Sequence, residues 1–111
     1  MKYVLLICDD ESVSPSNEEL QADPVHQRWL ADLERRNARL FGARLRPVAT
    51  ATTVRTRDGE TLVSDGPFAE TKDFVAGFVV VDCADLDEAI AIAAGHPYAQ
   101  WGSVEIRPVW E

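Results

Sequence analysis

Apolar residues open this chain in an unbroken run from Tyr3 to Cys8, ended by Asp9, Asp10 and Glu11. A short continuous run bounded by charge predicts a strand over residues 2–8 with apolar side chains on both faces. Residues 9–23 are polar and include Ser14-Pro15-Ser16. They predict a loop, with a short helical turn around Asn17–Leu20. Asp23 is a good N-cap, and Pro24 suits the first helical position, where its missing donor costs nothing. Val25, Trp29, Leu30, Leu33, Asn37, Leu40 and Phe41 then recur at helical spacing, so the first helix is expected to run to Phe41 and stop at Gly42. Its other face carries Arg28, Asp32, Arg35, Arg36 and Arg39, with Asp32 and Arg36 at i,i+4.

After Gly42 the period changes from helical to alternating. Thr50 to Arg57 is rich in β-branched residues, Asp58-Gly59 follows, and Glu60 to Ser64 resumes the pattern. Asp-Gly between two such runs is a strong hairpin signal. A second turn follows at Asp65-Gly66-Pro67, where Asp bonds its own backbone, Gly permits positive φ and Pro fixes φ. Phe74 to Cys83, with Val75, Phe78, Val79, Val80 and Val81, predicts a long strand apolar on both faces. Asp85 and Glu88 make a capping box for a second helix that buries Leu86, Ala89, Ile90 and Ala93 and ends at Gly95-His96-Pro97. Ser103 to Trp110 reads as the last strand.

The order β-α-β-β-α-β is the ferredoxin-like pattern, an α+β fold with an antiparallel sheet and both helices on one face. One domain spanning 1–111 accounts for the whole chain. Strands 3–8 and 78–83 are nevertheless apolar on the face that the helices leave open. A second copy packed sheet against sheet is the expected cover, so a homodimer is expected through the open sheet face.

Composition narrows the function classes. The net charge is −8, yet eight basic and two acidic residues fall between Arg28 and Arg57, making that segment +6 and the remainder −14. The acidic total disfavours nucleic acid, and no aromatics interleave with those arginines. A solvated helix face and sheet rim fits the basic strip, and a small anionic ligand is compatible with it. No apolar run approaches the ~20 residues of a membrane span. Cys8 and Cys83 form no spaced framework, which suits buried free thiols in a reducing cytoplasm. Neither a phosphate loop, a Rossmann glycine pattern, a Ser-His-Asp order nor a metal motif occurs, so no cofactor is expected.

The stretch Asp65-Gly66-Pro67-Phe68-Ala69-Glu70-Thr71-Lys72 resembles the signature of the DGPF group of YCII-related proteins. The likeness extends through Thr52-Thr53-Val54-Arg55, Asp85-Leu86-Asp87-Glu88-Ala89 and Val104-Glu105-Ile106-Arg107-Pro108-Val109. Asp73 stands where a glutamate is usual, and Val75-Ala76-Gly77-Phe78 replaces a more glycine-rich version. The resemblance implies a ferredoxin-like protomer in a dimeric α+β barrel-type assembly with a cleft. It further implies a His–Asp pair in that cleft, a branch that resembles a lyase removing chloride from a chlorinated ring compound, and an association with extracytoplasmic-function sigma factors. A small-ligand-binding or regulatory module is the function it suggests, with a cofactor-free lyase or isomerase as the alternative.

Candidate chemistry centres on His26. It shares a helical stripe with Trp29, Leu30 and Leu33, so it faces the sheet or its cleft. There it would act as a general base, or as a hydrogen-bonded histidine at the core edge. Pro24-Val25-His26-Gln27 is similar to the family's histidine context. His96 stands where the relatives' aspartate precedes Pro-Tyr, and so would assist His26 or sit partly exposed at a helix C-terminus. Asp65 and Glu70 are a candidate acid and base, and Lys72 a candidate to hold an anion. Alternatively, Asp65 builds the turn, Phe68 plugs the core, and Glu70 pairs with Lys72. Arg107 and Glu105, alternating on the last strand, are candidates to reach the cleft or the dimer seam.

Overall fold

A computed structural model describes residues 1–67 and 73–111. Phe68, Glu70 and Lys72, singled out above, lie outside the described residues. Strand β1 (Lys2–Asp9) buries Tyr3, Leu5, Ile7 and Asp9 on one face and leaves Val4, Leu6 and Cys8 half-buried on the other. Helix α1 (Asn17–Ala22) follows, held by a capping box between Ser16 and Glu19. The short turn expected near Asn17–Leu20 is therefore a helix of its own. Helix α2 (Pro24–Arg35) starts as the sequence indicates, with Asp23 accepting the Val25 N–H at 2.8 Å.

Helix α2 ends six residues before Phe41. Asn37 adopts φ +53°, the Asn37 N–H donates to the Glu34 carbonyl, and the Ala38 N–H donates to the Leu33 carbonyl at 2.9 Å. That is a Schellman stop with asparagine in the left-handed position usually taken by glycine. Leu40 and Phe41 therefore belong to strand β2 (Arg39–Arg44), and Gly42 does not terminate the helix. It sits where β2 crosses β5, and a Cβ there would lie 2.9 Å from the Phe78 carbonyl oxygen.

Strands β3 (Thr52–Arg57) and β4 (Glu60–Asp65) form the expected hairpin, with Asp58 and Gly59 both at positive φ. They make a separate two-stranded sheet rather than the middle of the main one. The main sheet completes with β5 (Phe74–Asp82) and β6 (Ser103–Pro108), in the order β2-β5-β1-β6 and antiparallel throughout. This is the ferredoxin-like order, with the hairpin inserted between its second and third strands.

Helix α3 (Leu86–Ala94) is capped by Asp85, which accepts the Glu88 N–H at 2.9 Å, while the Glu88 carboxylate takes the Ala84 N–H. Helices α2 and α3 cover the inner face. Trp29, Leu33, Ala89, Ile92 and Ala93 pack there on Tyr3, Leu5, Ile7, Val79 and Val81 in one core. The outer face carries Val4, Leu6, Phe78 and Val80, half-buried, beside Phe41, whose ring centroid lies 5.7 Å from that of Phe78. No described helix is long and apolar enough to cross a membrane.

The stop at Asn37 generates a prediction. Asn37→Val forces a β-branched residue into the left-handed region and is expected to lower unfolding stability by about 1–2 kcal/mol. Asn37→Gly is expected to match or exceed the parent. Urea denaturation of the three proteins measures both, and equal midpoints would contradict a left-handed stop at this residue.

Candidate functional site

Helix α2 and the β2–β5 side of the sheet enclose a cavity of about 230 Å³. Trp29, Leu30, Ile7 and Val79 supply apolar wall, and His26, His96, Tyr98, Arg39 and Arg44 supply polar groups. Two inward positions of the floor, Gly42 and Gly77, have no side chain; Gly77 pairs with Arg44 and Gly42 with Val79. A Cβ on Gly77 would meet the Ala43 carbonyl oxygen at 2.8 Å, so close strand approach is one reason for glycine, and the room left above it is the consequence.

His26 lies in the first turn of α2, half-buried. The backbone of Leu20, in α1, favours its protonated form. Burial pushes its pKa below the ordinary histidine value; Asp23 partly offsets this and Arg44 adds to it. The ring stacks with Trp29 at 6.5 Å and meets His96 edge-on at 5.6 Å.

His96 is 4% exposed. Being followed by Pro97, it takes extended backbone, which lets it cap the short turn Pro97–Ala99. Its Nδ1 accepts the Tyr98 N–H at 3.0 Å, so in the neutral ring the proton sits on Nε2. Burial and the neighbouring His26 push its pKa down to about 4. A partly exposed cation stabilised by a helix dipole is thus not what this residue is. It is a neutral, aromatic-packed donor, 4.7 Å from the Trp29 ring and 5.4 Å from that of Tyr98.

Arg44 brings the positive charge. Its guanidinium donates to Asn17 Oδ1 at 2.6 Å, to the Pro15 carbonyl at 2.5 Å and to the Tyr98 hydroxyl at 3.2 Å. Arg39 donates to the Gly42 carbonyl, while its buried Nε has no hydrogen-bond partner among the described residues. That nitrogen is sealed from the cavity as well as from solvent, so what Arg39 brings to the wall is the charge of its guanidinium.

The remaining candidates lie elsewhere. Asp65 is exposed at the end of β4, opposite Thr52, and is not among the residues lining the cavity. Arg107 is on the outer face of β6, paired in register with Val4 and bridged to Glu105 at 3.4 Å. The structure therefore brings His26 and His96 together and leaves Asp65 and Arg107 outside their cavity. Arg39, Arg44 and Tyr98 were missed. Reading Arg39–Arg44 as a strand would have pointed Arg44 inward by alternation. Among the described residues no group of three His, Cys, Asp or Glu side chains is placed to hold a metal.

The depressed His96 pKa has a consequence for stability. As pH falls, the unfolded chain takes up this proton near 6.5 and the folded one only near 4. Stability from the neutral ring is complete above about pH 6.5 and falls by about 3 kcal/mol by pH 4. His96→Asn keeps a capping acceptor but does not titrate there. Its loss of stability between pH 7 and 4 is expected to be smaller than the parent's by that amount, as read from chemical denaturation at both pH values. Parallel curves would contradict a buried neutral His96.

Comparison with known proteins places this geometry in a family. A family model described as the YCII-related domain matches residues 1–111. An uncharacterized protein of Rhizobium meliloti (strain 1021) is 42% identical over 115 residues, covering 98% of this chain and 92% of that protein. The chain belongs to the YCII-related domain family.

Proposed function

We propose that this chain binds a small organic anion in the cavity under α2, with its charge at Arg39 and Arg44 and its apolar body against Trp29 and Leu30. The observation that carries this reading is that two arginines, Arg39 and Arg44, line one cavity together with the apolar wall of Trp29, Leu30, Ile7 and Val79. A cavity of about 230 Å³ exceeds the roughly 150 Å³ that accommodates benzene, so one ring with a carboxylate is a fitting size. The acting form is a cytoplasmic homodimer joined through the outer sheet face. Half-exposed Val4, Leu6, Phe78 and Val80 support the dimer, and the two free cysteines support a reducing compartment. A regulatory role beside an extracytoplasmic-function sigma factor rests on the family resemblance alone.

A second reading, a cofactor-free lyase or isomerase, is favoured by His26. A half-buried imidazole whose pKa burial pushes down, in a cavity with cationic groups, is suited to take a proton from a carbon next to a bound carboxylate. His96 would then stabilise the site as a neutral donor.

Ligand-observed NMR with small ring carboxylates and their amides tests the first reading. Carboxylates are expected to bind and amides not, with Arg39→Gln weakening the carboxylates by about 10-fold or more, as loss of a charged hydrogen bond implies. Amides binding as well as acids would overturn it. A carboxylate whose affinity survives His26→Ala would clear His26 of a binding role.

Sedimentation equilibrium tests the dimer. Parent protein is expected at twice the chain mass and Val80→Lys, which buries a charge in that seam, at the chain mass. A monomeric parent would remove the proposal.

A further inference from the structure

The hairpin β3–β4 changes chemistry from one face to the other. In its register Thr52 stands opposite Asp65, Val54 opposite Val63 and Thr56 opposite Thr61, and directly opposed residues share a face. Beyond Asp65 at its base, that face carries no charge. The other face holds Arg55, Arg57 and Glu60 together with Thr53, Leu62 and Ser64. Antiparallel strands alternate in this way when one face is covered and the other is wet. Yet Val54 is 60% and Val63 63% exposed, and the hairpin pairs with no strand of the main sheet. A two-stranded hairpin on its own is marginal in water. The described residues supply no cover for its uncharged face.

The size of the uncovered surface points to the occupant. A chain of 111 residues that closes on itself exposes about 6,100 Å² and has a radius of gyration of about 13 Å. This one exposes 7578 Å² with a radius of 15.7 Å. It extends 48 Å, although β5, its longest strand, spans only about 30 Å. The excess of about 1,500 Å² is more than the roughly 800 Å² that each partner contributes to a stable interface. The surface is also continuous. The hairpin connects β2 to β5, and Val75 on β5, exposed and opposite Cys8, extends the outer face of Val4, Leu6, Phe78 and Val80 toward it.

We infer that the hairpin is an arm that each copy of the chain lays on the other, with the Val54–Val63 face as the contact and the face of Arg55, Arg57 and Glu60 left in water. This rests on the homodimer reading above and adds a contact region outside the main sheet. Docking supplies the apolar cover that a lone hairpin lacks. A two-fold axis makes the exchange reciprocal, so one dimer holds two such contacts.

Lysine substitutions on the two faces, followed by sedimentation equilibrium, test it. Val63→Lys puts a charge on the uncharged face, and Leu62→Lys puts one on the charged face. Both sites are exposed in the single chain, so neither change disturbs the main core. Val63→Lys is expected to raise the dimer dissociation constant about 10-fold or more, and Leu62→Lys to change it less than about 3-fold. A dimeric parent whose dissociation constant is unmoved by Val63→Lys overturns the arm and leaves the sheet contact standing. Equal weakening by both lysines overturns the assignment of the faces, and the arm contact with it. A monomeric parent removes the dimer reading and the arm together.

Amide hydrogen exchange decides the case of a dimer too tight to dissociate. Residues 53–57 and 60–64 are then expected to exchange about 10-fold faster in Val63→Lys than in the parent, and at the parent's rate in Leu62→Lys. Equal rates in parent and Val63→Lys overturn the arm.

Discussion

Trp29 is the point on which the arrangement turns. Its indole N–H donates to the Ile92 carbonyl at 2.7 Å in a buried setting, tying the middle of α2 to the last turn of α3. That carbonyl is one of the helix-end acceptors with few partners inside the helix, so the bond satisfies both groups at once. Gly95 lets the ring approach, since a Cβ there would lie 3.2 Å from the indole Cδ1. Because α2 carries His26 one turn before Trp29 and α3 is followed, after its C-cap Gly95, by His96, the same clasp sets the separation of the two imidazoles. Helix packing and site geometry therefore share one hydrogen bond.

The polar groups under the helices divide by what they are allowed to do. His96 spends Nδ1 on the Tyr98 N–H and is packed among aromatic rings, so it remains neutral at ordinary pH. His26 is only half-buried and lines the cavity. Arg44 is mostly occupied, latching Pro15 and Asn17 to the sheet, whereas the one described hydrogen bond of Arg39 is to the Gly42 carbonyl. Unspent capacity, rather than the presence of a titratable side chain, separates the groups available to a ligand from those that build its container.

Much of the fold was legible because period and punctuation agree along most of the chain. The apolar runs of β1 and β5, the Asp58-Gly59 hairpin, the Asp85 cap and the last strand all read directly. Strand β2 did not. Leu40 and Phe41 happen to continue the α2 spacing, and Gly42 is a stronger stop signal than Asn37, so the helix was read six residues too long. Glycine is needed at 42 for close strand approach, and asparagine can do glycine's work at 37 because its left-handed penalty is small. That single misreading hid part of the site. His26 was legible from its place on the Trp29 stripe. Arg44 faces inward only by β2 alternation, and Tyr98 is set by the turn after His96, so both depend on tertiary placement.

The Asp65-Gly66-Pro67 segment illustrates why a signature need not be a site. Its turn carries backbone requirements that few residues meet: Gly66 has φ +95°, and its N–H donates to the Ala51 carbonyl at 2.7 Å to close the base of the hairpin. Thr53 adds a second bond, its hydroxyl donating to the Gly66 carbonyl at 2.8 Å. Those constraints suffice to explain a distinctive sequence there without chemistry. At Asp9 the logic runs the other way. A carboxylate sealed from water with a single partner does nothing for packing that an apolar residue would not do better, and burying it is expensive. What it holds is the Ser14 hydroxyl, in close contact with its Oδ2, which ties the loop after β1 back to the end of the strand.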